Sequence, residues 1–243
     1  MYILSHSAEI IESCLGMQAQ NTDLKPEKVF GDFVYDDLSG EKPIVWDVTC
    51  DWAVRLIMED TAGSSQLDRI GAVGDGGPVV SVACDGQNFR GQGGRRWVMR
   101  RGNLAVCVYV PGKWQIADWT QVEALQMLPC QATLAAIETV GGDGAKFGIK
   151  PPNDIVVDDG GWHKLAGCLT EFRVGGDSLT ALRFGVGLNI GIAPAISDGL
   201  PSACLAQWVK NKYEGGCLWR DVLFEMIKSF TTLINPIINR RFL

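Results

Sequence analysis

The stretch of sequence that decides the fold runs from residue 147 to residue 174 and reads FGIKPPNDIVVDDGGWHKLAGCLTEFRV. Its apolar, β-branched runs are separated by a Pro-Pro turn and a Gly-Gly turn, which predicts three strands joined by two tight connections. Outward from it, LAVCVYV at 104–110, GPVVSVAC at 77–84 and IVWDV at 44–48 predict further strands. LTALRFGVGLNIGI at 179–192 predicts two strand-like runs that meet at glycines.

Apolar residues at helical spacing lie between and around these strands. They predict a helix near 8–17, a second over 51–60, a third over 118–140 that breaks near Pro129, and an amphipathic helix over 218–234. Hairpins are interleaved with helices rather than strictly alternating with them. The prediction is therefore an α+β fold, with a mixed, largely antiparallel β-sheet and helices packed on one face.

The composition and charge of the chain argue against several classes of function. The chain has 243 residues, a net charge of −6 and a pI near 5.0. An acidic chain is a poor candidate for binding nucleic acid, and no apolar run reaches the roughly 18 residues that a membrane span needs. The eight cysteines form no CxxC pair, and the amino terminus does not resemble a signal peptide. Both features indicate a reducing, cytoplasmic location. Two histidines, His6 and His163, leave little material for a histidine-rich zinc site or a Ser-His-Asp triad.

The first cluster with chemical character is QNFRGQGGRRW at 87–97, followed by Gly102-Asn103-Leu104. Glycines let a backbone approach an anion closely, and arginines carry planar, permanently charged groups that bind phosphate or carboxylate. The cluster predicts a loop that closes over a phosphorylated intermediate. A solvated surface loop is the alternative.

The second and third clusters each contain a lysine beside a strand-like run. Lys150 and Asp154 flank the Pro-Pro turn, so they can point into one cleft from adjoining strands; a simple proline-fixed turn is the alternative. Lys164 begins KLAGCLTE, where it can present its ammonium at the edge of the sheet or lie in solvent. GVGLNI at 185–190 places paired glycines inside a strand, which often marks close approach of a ligand.

Taken in this order, the clusters resemble the catalytic domain of biotin protein ligases, within the biotin/lipoate ligase superfamily. That family carries Gly-Arg-Gly-Arg-x-Gly-Arg-x-Trp, then Gly-Asn-Leu, Lys-Trp-Pro-Asn-Asp, Lys-x-Ala-Gly-Ile-Leu-x-Glu and Gly-x-Gly-x-Asn. The resemblance covers residues 44 to about 235 and implies a class II biotin/lipoate ligase-like fold. It also implies a two-step ligation. ATP, arriving with magnesium, adenylates biotin, and a lysine of a carboxylase carrier domain then takes the biotinyl group.

The resemblance assigns roles residue by residue. Lys164, Asp154 and Lys150 match the catalytic positions, Lys164 contacting carboxylate and phosphate and Asp154 orienting or activating the acceptor lysine. The remaining matches are expected contacts to the acid and its adenylate: Thr49, Gln87, Arg90, Gly91, Gln92, Gly94, Arg95, Trp97, Asn103, Asn153, Gly167 and Asn189. No metal ligands are expected from the chain itself, no nucleic-acid or membrane partner is expected, and the protein is expected to be a monomer or homodimer.

The sequence departs from the family pattern at several positions. These departures affect the expected preference for biotin as the acid substrate more than the expected fold. Gln92 stands where the family has a loop arginine, Pro151 replaces a tryptophan, and Thr49 alone matches an early Ser-Thr-Asn motif. Residues 1–43 are expected to be an amino-terminal extension packed on a catalytic domain of residues 44–243. No DNA-binding domain is expected in that extension. The small SH3-like barrel that usually closes such ligases is expected to be absent, because only 54 residues follow Asn189.

Two other functions stay open. A lipoyl or octanoyl transferase of the same superfamily would work through a cysteine thioester, for which Cys130 and Cys168 are the candidates. A degenerate homologue would bind an acyl-adenylate without transferring the acyl group, and Gln92 favours it.

Overall fold

Ten strands lie side by side in one sheet within the part of the chain that a computed structural model describes, which is residues 1–30, 44–47, 55–70, 78–115, 119–141, 146–196, 199–209 and 217–238. The strands are β1 (Tyr2–Ser5), β2 (Gln20–Asn21), β3 (Ile44–Asp47), β4 (Arg55–Ala62), β5 (Val79–Gly86), β6 (Leu104–Gln115), β7 (Phe147–Lys150), β8 (Asp154–Asp158), β9 (Trp162–Gly175) and β10 (Ser178–Leu188). Their order across the sheet is β2-β3-β1-β4-β5-β6-β10-β9-β8-β7. β4 pairs in parallel with β1 and β5, and the other neighbours are antiparallel, so the predicted mixed, largely antiparallel sheet is confirmed.

The described helices are α1 (Ala8–Leu15), α2 (Pro26–Phe30), α3 (Gln66–Arg69), α4 (Trp119–Thr139) and α5 (Leu218–Ile238). The three longer ones, α1, α4 and α5, share one core with strand residues such as Val80, Val82 and Val106. They therefore cover one face of the sheet, as predicted. None of the described helices is long and apolar enough to cross a membrane.

The other face of the sheet carries a smaller core and a recess. Alternate strand residues point away from α1, α4 and α5. Some of them, including Val79 and Tyr109, pack with residues of α2 and α3. Further along the strands the residues on this face are small, namely Ala105, Gly185 and Gly187, and they line an open cleft. The absence of side chains at Gly185 and Gly187 lets Leu67 and Trp97 pack directly on this face of the sheet.

The predicted helix over 51–60 is wrong. Residues 51–54 lie outside the described residues, and Arg55–Ala62 form strand β4. β4 is central, because β1 and β5 pair with its two edges. Leu56 and Met58 are buried toward the long helices and Ile57 is buried on the opposite face. A strand that is apolar on both faces loses its alternation, and short apolar runs of this kind are easily confused with a helix.

Two boundary predictions also need correction. Helix α4 continues through Pro129 without a break, because buried residues such as Leu128 and Cys130 hold it against the sheet and α5. Proline has no N–H to donate to the Leu125 carbonyl, and the Thr170 hydroxyl donates to that carbonyl at 3.4 Å instead. The stretch 179–192 holds one continuous strand, β10, rather than two runs.

Candidate active site

A cleft of about 710 Å³ opens on the face of the sheet opposite the long helices. Its walls come from β6, β9 and β10, from the loop that follows β5, and from residues 194–196 and 199–202. Most of the residues that the sequence predicted for the site line it: Arg90, Gly91, Gln92, Arg95, Trp97, Lys150, Asn153, Asp154, Lys164, Gly167 and Asn189. Segments that are up to about a hundred residues apart in sequence therefore meet in one place.

An ion pair between Lys164 and Asp154 lies in this cleft. Asp154 begins β8, and Lys164 lies on the neighbouring strand β9. The pairing register shifts between them, so that Leu165 is an extra residue on β9. This bulge turns Leu165 into the helix-side core and leaves Lys164 on the same face as Asp154. Lys164 Nζ is 2.6 Å from Asp154 Oδ1, and their side chains are only 24% and 16% exposed.

Trp97 covers this ion pair from the loop side. Lys164 Nζ lies 5.7 Å from the centroid of the Trp97 ring, within the range of a cation–π interaction. The indole rests on Gly167 of β9 and Gly187 of β10. A Cβ at Gly187 would lie 2.4 Å from Trp97 Cε2, so glycine is what permits this approach. The tryptophan is thus packed directly against the strands that form the cleft floor.

The glycine- and arginine-rich loop is closed by its own hydrogen bonds. Trp97 N donates to the Phe89 carbonyl at 2.9 Å, and Gly91 N donates to the Arg95 carbonyl at 2.6 Å. Gly93 and Gly94 turn the chain with φ of 66° and 77°, in the left-handed region that favours glycine. The side chains of Arg95, Arg96 and Gln92 remain exposed at the edge of the cleft. The cationic groups of this loop therefore face the space that a phosphate would enter.

Arg90 differs from Arg95 and Arg96, because two carboxylates hold its guanidinium. Its Nε donates to Asp68 Oδ1 at 2.6 Å, and its Nη2 lies 2.6 Å from Glu171 Oε1. Partial burial alone would lower the pKa of Arg90, but the two carboxylates outweigh that effect and raise it. Arg90 thus ties the loop to α3 and β9. To make its predicted contact with the adenylate, Arg90 would have to break its ion pairs with Asp68 and Glu171.

Asn103, a predicted ligand contact, is not among the residues that line the cleft. It is 1% exposed, and its Oδ1 accepts the backbone N–H groups of Ile190, Gly191 and Ile192 at 3.0–3.2 Å. Its Nδ2 donates to Asn189 Oδ1 at 3.2 Å. Asn103 therefore shapes the segment after β10 and positions Asn189, which does line the cleft.

Three other predicted contacts are not placed at the site. Gln87 is exposed and Gly94 lies in the turn of the loop, and neither lines the cleft. Thr49 lies outside the described residues. Asn153 is at the cleft, but its Nδ2 donates to the Cys168 carbonyl at 2.8 Å, so it also fixes the β7–β8 turn to β9.

The sequence prediction missed the segment Ser65-Gln66-Leu67, which follows β4 and lines the cleft. Gln66 is buried and donates its Nε2 to the Ala105 carbonyl at 3.2 Å. Leu67 lies over Gly185, where a Cβ would be 2.6 Å from its Cδ1. Recognition of β4 as a central strand would have pointed to this segment, because the ends of central strands often carry binding residues.

The two cysteines that line the cleft are poor nucleophiles. Burial raises the pKa of Cys107 to about 12. A hydrogen bond with Cys130, together with burial, raises the pKa of Cys168 well above its ordinary range. Cys130 itself is fully buried on α4 and is not among the lining residues. A thiol must ionise to form a thioester efficiently, so the cleft is poorly suited to that route.

Comparison with solved structures defines the class of fold. The structure is similar to biotin protein ligase from Leishmania major in complex with biotinyl-5-AMP, with a TM-score of 0.58 and 22% identity over 77% of this chain and 76% of that one. It is also similar to a mutant biotin protein ligase from Aquifex aeolicus in complex with biotin, with a TM-score of 0.52 and 19% identity over 75% and 70% of the two chains. The fold is that of biotin protein ligase catalytic domains, as the sequence predicted.

Sequence comparison finds similarity over part of the chain. The model of the biotin/lipoate A/B protein ligase family matches residues 78–189. Over 117 residues the chain is 34% identical to the biotin–[acetyl-CoA-carboxylase] ligase of Paracoccus denitrificans. That match covers 47% of this chain and 45% of the relative, so it spans less than half of the relative's length. The family model thus matches 112 of the 243 residues, which include the segment from β5 to the end of β10.

Proposed function

We propose that this protein is an ATP-dependent biotin–protein ligase, which adenylates biotin and transfers it to a lysine of a carboxylase carrier domain. The observation that carries the proposal is the ion pair of Lys164 and Asp154, held under Trp97 in a cleft whose edge bears the exposed Arg95 and Arg96. This arrangement sets fixed positive charge where an acid and a phosphate would meet. The Paracoccus denitrificans relative and both similar structures are named as biotin ligases.

In the first step a carboxylate oxygen of biotin attacks the α-phosphorus of ATP. The bond from that phosphorus to the bridging oxygen breaks, and pyrophosphate leaves. We assign to Lys164 the neutralisation of the carboxylate and the phosphate as they approach, and its contacts with Asp154 and Trp97 support this role. Arg95, Arg96 and Lys150 are exposed at the edge of the cleft, where they can bind the phosphates.

In the second step the neutral amine of an acceptor lysine attacks the acyl carbon of the adenylate. The bond from that carbon to the AMP oxygen breaks, AMP leaves, and an amide forms as the amine releases a proton. Asp154 is the carboxylate beside Lys164, and we assign to it the orientation of the acceptor amine and the uptake of that proton. Lys164 neutralises the charge that develops on the departing phosphate.

Magnesium enters this scheme as part of the substrate, bound to the phosphates of ATP. Among the residues that the structure describes, no group of three His, Cys, Asp or Glu side chains is arranged to hold a metal. We place the reaction in a reducing cytoplasm, where the seven described cysteines, all of them unpaired, would stay as thiols.

Exchange of radiolabelled pyrophosphate into ATP tests the first step. The protein would be incubated with ATP, magnesium and pyrophosphate, and with biotin, lipoate, octanoate or no acid in parallel. We expect exchange that depends on biotin, followed by transfer of biotin to a carrier domain when one is added. Exchange with lipoate or octanoate alone would reassign the substrate to the lipoate branch. Binding of biotinyl-AMP without exchange would assign a binding module.

A further inference from the structure

Two cysteines that the proposed reaction does not use lie side by side on the helix face of the sheet. Cys14 is near the end of α1, and Cys84 lies on β5, yet their Sγ atoms are only 3.4 Å apart. A disulfide needs about 2.05 Å between the sulfurs, so a movement of roughly 1.4 Å would join them. Seventy positions of sequence separate the two residues, and it is the packing of α1 on the sheet that brings them together.

The two thiols differ in access to solvent and in environment. Cys14 is half-buried, whereas Cys84 is 5% exposed. The hydrogen bond with Cys84 lowers the pKa of Cys14 to about 7, against the opposing effect of partial burial. The nearby Arg101 also lowers it and Asp60 raises it. Cys14 is therefore the member of the pair that reaches solvent and ionises, and Cys84 is held against it.

A third cysteine provides a built-in comparison. Cys217 Sγ donates to the Cys14 carbonyl oxygen at 3.4 Å, so it also lies beside Cys14. The remaining described cysteines, Cys107, Cys130, Cys168 and Cys204, are buried. Sulfur-to-sulfur contact with a half-buried partner thus distinguishes the pair of Cys14 and Cys84 from the rest.

We propose that Cys14 and Cys84 are a peroxide-sensitive modification site that forms a reversible intramolecular disulfide. The Cys14 thiolate attacks one oxygen of hydrogen peroxide, the O–O bond breaks, and hydroxide leaves, which yields a sulfenic acid. The Cys84 sulfur then attacks the Cys14 sulfur and displaces the hydroxyl group as water. Overall two thiols and one peroxide become one disulfide and two waters, and a dithiol reductant reverses the change.

The disulfide would link α1 covalently to β5, the strand that precedes the glycine- and arginine-rich loop, called here the cleft loop (residues 87–101). Cys84 lies three residues before Gln87, where that loop begins, and Arg101 at the far end of the loop pairs with Asp60 at 2.8 Å. Cross-linking two points about seventy residues apart restricts the unfolded chain substantially. We expect the oxidised protein to melt about 4–16 °C above the reduced one.

The test begins with the full chain, reduced, freed of reductant and exposed to hydrogen peroxide near neutral pH. Free thiols would be blocked with an alkylating agent, and the disulfide would be mapped by mass spectrometry of a non-reducing digest. We expect one cross-link, between the peptides that carry Cys14 and Cys84, with the rise in melting temperature. The mapping needs no variant and does not depend on the proposed ligase activity.

Three variants sharpen the result. In Cys84→Ala we expect a Cys14 sulfenic acid that dimedone captures, and in Cys14→Ser we expect Cys84 to stay reduced. Cys217→Ser is the matched control and should keep the cross-link at the wild-type rate. A cross-link between Cys14 and Cys217 in the wild type would overturn the proposal. So would oxidation of Cys14 no faster than that of the buried Cys107.

Discussion

Lys164 Nζ lies 2.6 Å from Asp154 Oδ1, across the neighbouring strands β9 and β8. The bulge at Leu165 makes this contact possible, because without the extra residue Lys164 would face the helix side of the sheet. A largely buried ion pair contributes little net stability, since desolvation offsets the Coulomb attraction. Its position in an open cleft is better explained by the chemistry proposed for that cleft.

Lys164→Ala should abolish adenylate formation without unfolding the protein. Loss of one fixed positive donor at a developing charge typically costs a factor of about 10²–10³ in rate. Lys228→Ala is the matched control, because Lys228 also neighbours a carboxylate, Glu225 at 3.5 Å, but is 69% exposed on α5. Biotin-dependent pyrophosphate exchange measures the rates, and thermal melting checks the fold. A Lys164→Ala protein that forms adenylate at the wild-type rate would show that the role of Lys164 is misassigned.

Gly187→Ala should displace Trp97 from the cleft floor. The added Cβ would lie 2.4 Å from Trp97 Cε2, and overpacking of this kind costs about 1–3 kcal/mol. Gly148→Ala is the control, because a Cβ there would meet Trp162 at 3.9 Å, an ordinary contact. Urea unfolding measures stability and isothermal titration measures biotin affinity. We expect both to fall in Gly187→Ala alone, and equal behaviour of the two variants would contradict the assigned packing.

Arg90→Ala should loosen the loop from α3 and β9. The change leaves Asp68 and Glu171 without their shared cation, and a partly exposed pair of this kind contributes about 1 kcal/mol. The melting temperature should fall by about 2–4 °C. Arg95→Ala removes an exposed arginine from the same loop and should leave the melting temperature unchanged. If Arg90→Ala has the same melting temperature as the wild type but does not bind the adenylate, Arg90 is a ligand contact and not a structural link.

Gln92→Arg should slow the release of the acyl-adenylate. A charged side chain at this exposed position can donate charge-assisted hydrogen bonds worth about 1.5–3 kcal/mol to the phosphate, whereas glutamine donates a neutral one. The dissociation rate should fall about tenfold or more. Arg96→Ala is measured in parallel by single-turnover release of labelled adenylate. Unchanged release from Gln92→Arg, with a large loss of retention in Arg96→Ala, would show that Arg96 already supplies the missing charge.

Acid should weaken the link between β4 and the end of the cleft loop. Hydrogen bonds from Arg101 hold the pKa of Asp60 below its ordinary value of 3.8. The stabilisation is therefore complete above that ordinary value and is lost as the pH falls through the lower folded-state pKa. Because both side chains are well exposed, the effect should stay below about 1 kcal/mol. Urea unfolding at neutral and acid pH measures how much the free energy of unfolding falls in acid. That fall should be smaller in Asp60→Asn than in the wild type, and it should equal the wild-type fall in the exposed control Asp177→Asn.

Local sequence determined several strands of the sheet and many of the chemical groups of the cleft. The alternation and turn residues of 147–174 define β7, β8 and most of β9, so Lys150 and Asp154 could be predicted to share a cleft. Their contacts join neighbouring hairpin strands, and the register of a hairpin is largely set by its turn and its apolar pattern. The bulge at Leu165, which brings Lys164 to the same face, was not predicted. The same reasoning failed at β4, because a central strand that is buried on both faces has no alternation to detect.

Only the tertiary structure decided what the long-range partners are. The engagement of Arg90 by Asp68 and Glu171, the burial of Asn103 under the segment after β10, and the meeting of Cys14 with Cys84 all join residues from separate elements. Side-chain chemistry states which bonds such groups can make. Which bonds they do make depends on how helices and strands pack, since packing sets the distance, burial and charge around each group.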